Sequence, residues 1–327
     1  MTLRQLALLQ AIVDNDCNLS LAAKACHTSQ PGASRQIAML EHELGVKLLV
    51  RRKNRILGLT AVGHEIVAIA RTILNQGENI RLVAADERGD RGGRLIVATS
   101  HLHARYTLRQ PTKVFTRQHP EVELHLLQAD PEVIVNLVES GTAHVGISTL
   151  DAFTHPDLLL LQGAQMRRSV IMPRGHPLAS KQRIALSDIA RYPIVGYHAR
   201  STAGRQLSSA FQAKGLTPRY VVSANDSDVI KTYVAEGLGI AIVPTMSIAD
   251  AEPSEDIVAA DATNLFPKTF LTICLRRDRH FRNYLTDFVA LCAPQWTRRA
   301  ILRQLAGGER GDDGVTRATS TDSRRIA

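Results

Sequence analysis

Aromatic residues and cysteines are scarce in this chain. Phe, Trp and Tyr make up 4% of its 327 residues. The four cysteines, Cys17, Cys26, Cys274 and Cys292, form no C-x-x-C pair. Zinc-ribbon and thioredoxin-type chemistry therefore lack their signature, and free thiols in a reducing cytoplasm are expected. No long uncharged apolar run is present, so no membrane span is expected. The N-terminal "MTLRQLALLQAIVDND" has no basic n-region and no small-residue cleavage site, and reads as an amphipathic helix rather than a signal peptide. A G-x-S-x-G elbow, a P-loop and an H-E-x-x-H helix are all missing, so no catalytic residue, metal or cofactor is expected. The pair His101 and His103 is a remote alternative, an enzyme or metal site, but it has no third ligand at sensible spacing.

Positive charge, by contrast, is in excess. The formal net charge is +9, which suits a polyanionic partner without requiring one. Such a length suggests two or three domains. The first helix spans about residues 2–13, with Leu6, Leu9 and Val13 on one face, and a short alanine-rich helix follows from about Leu19. Next comes "TSQPGASRQIAMLEHELG". Thr28 or Ser29 can cap its first N–H groups, and Pro31 falls in the first turn, where a missing N–H costs little. Ile37, Leu40 and Leu44 recur at helical spacing to bury it, and Gly45 ends it as a left-handed residue would. The apolar stripe thus holds the C-terminal part and leaves Gln30, Ser34 and Arg35 exposed, as in the second helix of a helix-turn-helix. A capped surface helix with ordinary polar residues would read similarly.

The following segment favours nucleic acid. Arg51, Arg52, Lys53 and Arg55 lie between two apolar runs, as in the basic wing of a winged helix. Residues 1–60 hold 8 Lys and Arg against 4 Asp and Glu, a net of +4, and half of those cations sit in these few positions. Thr60 caps a long helix in which Val62, Ile66, Ile69, Ile73, Ile80 and Val83 follow a heptad seam. Pairing with a second copy is expected, although packing on its own domain would also use such a stripe. "GDRGG", ending at Gly93, reads as a hinge.

From Arg94 strands and helices alternate. "RLIVATS", "EVELHLLQ", "AHVGIST", "RRSVIMP", "RYVVSA", "IAIVP" and "FLTICLRR" read as strands. "DPEVIVNLVESG" reads as a helix capped by Asp130 and closed by Gly141. The rhythm predicts a parallel sheet with helices on its faces, in two α/β lobes with ligand held between them. Ser100 lies where a strand gives way to a helix, Thr149 ends a strand, and Thr202 starts a helix. Hydroxyls and free N–H groups at such junctions can hold an anion without a large fixed charge. The polar tail from about residue 307 has almost no apolar content and is expected to be disordered.

Three stretches carry a family resemblance: "LSLAAKACHTSQPGASRQIAMLEHELGVKLLVR", "LTAVG" and "VAEGLGIAIVP". With them, nearly the whole chain to about residue 300 resembles the LysR-type transcriptional regulators. "TSHLHARYTL" and "SDVIKTYVAEGLG" look like the CysB branch, which controls sulfur assimilation. The resemblance implies a winged helix-turn-helix over residues 1–60 and a linker helix with hinge over 61–93 that serves dimerisation. It implies a two-lobed, periplasmic-binding-protein-like effector domain over 94–306, with lobe I at about 94–163 and 267–300 and lobe II at about 164–266. Ser29, Gln30, Pro31, Ser34 and Arg35 match the DNA-reading helix, and Arg51, with Arg52 and Lys53 beside it, matches the wing. Ser100, Thr149 and Thr202 match the hydroxyls that hold sulfate or an acetylserine-like effector. Where the branch has Thr-x-Thr-Gln, this chain has Ser100, His101, Leu102 and His103, so Leu102 lacks a hydroxyl and His103 replaces an amide. A protonated His103 would strengthen anion binding as pH falls through about 6.5. Double-stranded DNA, RNA polymerase and further copies of the chain, as a dimer of dimers, are the implied partners. A regulator of the same type that senses a different organic acid is the alternative.

Overall fold

The computed structural model describes residues 1–52, 55–150, 155–249 and 256–307. They form two compact units, residues 1–90 with 278–280, and residues 91–277 with the segment from 281 onward. Lys53 and the tail from residue 308 lie outside the described residues.

The first unit is a three-helix head with a hairpin and a long helix. Helix α1 (Leu3–Asp14) opens on a capping box between Thr2 and Gln5, and Asn18 caps α2 (Leu19–Ala25). In α3 (Gln30–Leu44) the Ser29 hydroxyl accepts the Gly32 N–H, and Gly45 stops the helix at φ 70°. Leu9, Ile12, Ala22, Ala33, Ile37 and Leu40 make the core. Leu44, expected to be buried, is exposed. The last inward position belongs instead to Glu41, whose carboxylate accepts the N–H groups of Leu48 (2.9 Å) and Leu49 (3.2 Å) and pairs with Lys47 at 3.2 Å. Burial opposes ionisation of Glu41, but those donors outweigh it and hold its carboxyl below the usual carboxylate value.

Glu41 thereby fixes the start of an antiparallel hairpin, β1 (Leu49–Arg52) and β2 (Arg55–Leu59). Helix α4 (Ala61–Glu87) follows, capped by Thr60, whose hydroxyl also donates to the Lys47 carbonyl at 2.7 Å. Gly63 lies in the first turn of α4, where a Cβ would stand 2.2 Å from the Leu48 carbonyl oxygen. Val67 and Ala70 face inward, while Val62, Ile69, Ile80 and Val83 stand exposed along the helix.

The second unit has two lobes. Lobe I holds a five-stranded sheet in the order β4-β3-β5-β12-β6. Strands β3 (Gly93–Thr99), β4 (Val122–Gln128) and β5 (Val145–Ser148) run parallel. Strand β12 (Thr269–Arg276) enters antiparallel between β5 and β6 (Leu158–Met166), so the sheet is mixed and not parallel throughout. The cause is connectivity, since β12 returns from the other lobe and not from a crossover helix. Helix α5 (Arg109–Gln118), α6 (Pro131–Glu139), α11 (Asn283–Cys292) and α12 (Arg298–Gly307) cover the sheet. Ile301 of α12 is part of the core, so the lobe runs beyond residue 300. Asp130 stands at the start of α6, but its carboxylate makes no capping bond.

Lobe II packs β7 (Arg168–Pro173) between β10 (Ala241–Pro244) and β11 (Ile257–Asp261), both antiparallel to it. Strands β8 (Ile194–Tyr197) and β9 (Tyr220–Ala224) pair in parallel, and an isolated bridge from Ile194 to Ile240 continues the layer. Helices α7 (Leu186–Ile189), α8 (Thr202–Gln212), α9 (Ser227–Ala235) and α10 (Met246–Ala249) complete it. Among the described residues the chain crosses between lobes twice, from β6 to β7 and from β11 to β12. Because β6 runs to Met166, the first crossing comes a few residues later than the expected boundary. The two crossings are tied together: the Arg168 carbonyl accepts the Ala262 N–H (2.9 Å), and the Arg168 N–H donates to Thr263 Oγ1 (3.2 Å).

Candidate functional site

In the first unit the exposed end of α3 and the hairpin carry the candidate nucleic-acid surface. Ser29, Gln30, Pro31 and Arg35 are exposed and Ser34 is half-buried, while Ala33 and Ile37 anchor the opposite face. Arg51, Arg52 and Arg55 are exposed on the hairpin. A rigid helix end with free polar side chains, beside a cationic strand pair, can read a groove and contact phosphates.

In the second unit a cavity of about 530 Å³ opens between the lobes. It lies at the C-terminal ends of parallel strands, where helix N-termini converge. Ser100, His101, Leu102, His103, Thr149 and Thr202 all line it. The helix starts around it are not equivalent. Asp130 and Asp226 stand before α6 and α9, so their own negative charge already occupies those ends. Ser100 precedes an irregular helix that widens into a π turn over His103–Thr107, and Ser201 caps α8. An incoming anion therefore meets attraction at Ser100 and Thr202 and repulsion at the two aspartates. Thr202 accepts from Arg205 at 3.4 Å, which leaves the proton of its own hydroxyl for a ligand.

His103 differs from its expected role. It is 1% exposed, and burial pushes its pKa down to about 4, so it is neutral at pH 6.5 and carries no charge toward an anion. Its Nδ1 meets Thr107 Oγ1 at 2.8 Å and its Nε2 meets Thr149 Oγ1 at 3.0 Å. With the proton on Nε2, His103 donates to Thr149, and the Thr149 hydroxyl proton is released to a ligand. With the proton on Nδ1, that hydroxyl is spent on the imidazole. The ring is thus a neutral relay from Thr107 to Thr149.

His101 and His103 diverge. His101 Nε2 pairs with Asp226 at 2.9 Å and its Nδ1 faces Gln128 at 3.3 Å, so it bridges the lobes at the cavity mouth. Ligand atoms of His101, Asp226 and Asp228 lie close enough to share a cation, but Asp228 is already neutralised by Arg105 (3.0 Å) and Lys231 (2.7 Å). Tyr106 also donates to Asp228, and Lys231 donates to the Tyr106 hydroxyl at 3.1 Å. The "ARY" and "SDVIK" stretches, remote in sequence, are therefore two halves of one inter-lobe ion cluster.

Sequence reasoning missed the far wall. Arg168, at the crossing between lobes, is 7% exposed and lines the cavity. Its Nη2 donates to Gln206 at 2.6 Å and its guanidinium lies 5.7 Å from the Phe266 ring centre. None of the ion pairs among the described residues includes it. Burial lowers its pKa, partly offset by nearby Tyr197. Thr269, on the strand partner of Met166, lines the same cavity. No local signal marks either residue, because each reads as an ordinary strand end.

A winged head with a basic hairpin, carried with a two-lobed domain around an anion-friendly cavity, defines a DNA-reading protein with a small-molecule site. Residues 3–64 match the bacterial regulatory helix-turn-helix proteins of the lysR family, and residues 88–297 match the LysR substrate binding domain. The chain is 37% identical to the HTH-type transcriptional regulator cbl of Escherichia coli (strain K12), over 93% of this chain and 96% of that protein. It is 35% identical to the HTH-type transcriptional regulator CysB of Haemophilus influenzae (strain ATCC 51907 / DSM 11121 / KW20 / Rd), over 92% and 93%. The solved cofactor-binding domain of the Cbl transcriptional regulator superposes with a TM-score of 0.61 at 36% identity, covering 65% of this chain and 93% of that one. The chain belongs to the LysR family, as a transcriptional regulator of the Cbl and CysB kind and not an enzyme. Among the described residues no helix is long and apolar enough to cross a membrane.

Proposed function

We propose that this regulator controls sulfur assimilation or the use of alternative sulfur sources, and that it does so in the cytoplasm in response to a small anionic or acetylserine-like effector. The observation that carries the effector reading is the meeting of Ser100, Thr149 and Thr202 on one cavity, with serines and not acids at the two helix starts that Ser100 and Thr202 belong to. The Cbl and CysB relatives support the sulfur reading. In this scheme Gln30, Ser34 and Arg35 address base edges, Ser29 and Pro31 set the helix start, and Arg51 and Arg52 contact phosphates. The exposed stripe of Val62, Ile69, Ile80 and Val83 pairs two copies, and pairs assemble into a dimer of dimers that can engage RNA polymerase. A second reading, an organic acid in place of a sulfur metabolite, draws on Leu102, an apolar side chain on the cavity wall.

Titration calorimetry of sulfate and of acetylserines against the full chain tests the effector reading. Thr149→Ala and Thr202→Ala should each weaken binding roughly tenfold or more, the effect of one lost hydrogen bond to a charged ligand. Unchanged affinity in both variants would move the effector elsewhere.

A further inference from the structure

The hydroxyl cluster accounts for only part of the cavity. A five-atom oxyanion would fill a small fraction of about 530 Å³, given that one water occupies ~30 Å³ of liquid. Leu102, Pro131, Met166, Ala203 and Pro244 add apolar wall, which an inorganic ion does not use. On the same cavity stand two polar groups that the hydroxyl cluster leaves without a role. The Arg168 guanidinium is buried, and among the described residues its fork donates to Gln206 and lies over the Phe266 ring, with no carboxylate paired to it. A buried cation of this kind is costly without a counter-charge. Thr269 Oγ1 is likewise buried and has no hydrogen-bond partner among the described residues. An unsatisfied hydroxyl in a cavity wall also calls for a ligand atom. Neither group belongs to a helix start, so this demand for an acceptor is independent of the Ser100, Thr149 and Thr202 cluster. Asp130, Asp226 and Arg167 complete the charged lining. Asp226 is paired with His101 and Arg167 with Asp261, which leaves Arg168 as the lining cation outside any ion pair of the described residues.

We infer that the effector is a two-headed organic anion: a sulfonate or sulfate head sits on the Ser100, Thr149 and Thr202 hydroxyls, and a second anionic group, joined by a short apolar spacer, pairs with Arg168 and accepts from Thr269. Guanidinium and a planar carboxylate match as a two-bond fork, so a carboxylate is the favoured second head. Arg168 also ties the two inter-lobe crossings through its backbone. A ligand held there is held at the point about which the lobes would move. This inference rests on the reading of the cavity as an effector site.

The test is titration calorimetry of the full chain with three probes: inorganic sulfate, butanesulfonate, and an ω-sulfo-carboxylate series of one to three methylenes. At the best spacer length the two-headed anion should bind the parent at least tenfold more tightly than butanesulfonate. Arg168→Gln should erase that advantage while changing sulfate affinity less than threefold. Arg168→Lys, which keeps charge but loses the fork, should retain part of it and guards against a folding defect in the first variant. Thr269→Val should leave the unliganded melting temperature unchanged or higher, because no bond is lost, yet weaken the two-headed anion severalfold. Equal losses for sulfate and the two-headed anion in Arg168→Gln, or no preference for two heads in the parent, would overturn the inference while leaving the effector site in place. If neither sulfate nor any sulfo-carboxylate binds the parent, the effector reading itself fails and takes the inference with it.

Discussion

His103 offers the sharpest quantitative check, because its burial sets a titration that no exposed group would show. In the folded chain its pKa is pushed down to about 4 by desolvation, whereas the unfolded chain has the ordinary value of 6.5. Between these values the unfolded state binds the extra proton and the folded state does not. Stability must therefore rise with pH across that window. The contribution is fully present above about pH 6.5 and drains away as pH falls toward about 4. At about 1.4 kcal/mol per pH unit the full effect is ~3 kcal/mol, with roughly 2–3 kcal/mol lost between pH 7 and pH 4.5. His103→Gln removes the titrating ring and keeps a polar group between Thr107 and Thr149. Other acids titrate equally in both proteins, so the difference isolates the imidazole. Trp296, the single tryptophan, is 3% exposed in the lobe I core, so its fluorescence during urea unfolding reports the lobe that holds His103. The parent should lose about 2–3 kcal/mol more than His103→Gln on acidification. Parallel curves would refute the buried neutral imidazole. Effector affinity, for its part, should not strengthen through pH 6.5, contrary to what a charged His103 would require.

Three further outcomes follow from the first unit. Arg51→Ala should weaken binding to all DNA sequences and flatten the salt slope by roughly one, as read from fluorescence anisotropy across a salt series; an unchanged slope would remove the wing from the phosphate contacts. Ile80→Asp places a charge on a side chain that is 71% exposed in the single chain, so its stability should hold while sedimentation at low concentration shifts toward monomer; a fully dimeric variant would locate the interface elsewhere. Gly63→Ala should cost about 1–3 kcal/mol, because its Cβ would meet the Leu48 carbonyl at 2.2 Å and force β1 away from α4. A gain in helical stability, the usual result of Gly→Ala in a helix, would contradict that close approach.

Local devices were legible in the sequence because their physics is local. Ser29, Thr60 and Gly45 cap or stop helices by bonding within a few residues, and the wing arginines declare their charge wherever they sit. The positions of Ser100, Thr149 and Thr202 at element junctions followed from strand and helix periodicity. What periodicity could not determine was set by chain segments far apart. Strand β12 reads like any other strand, but its return from lobe II makes it antiparallel and carries Thr269 to the cavity. Arg168 is an unremarkable strand end until the double crossing buries it beside Gln206. The "ARY" and "SDVIK" motifs were visible as stretches, but only the tertiary fold brings Arg105 and Tyr106 onto Asp228 and Lys231. His103 shows the same division: the sequence determined which residue replaces the amide, and the fold decided its charge, because a pKa depends on solvent exclusion by neighbours that are distant along the chain.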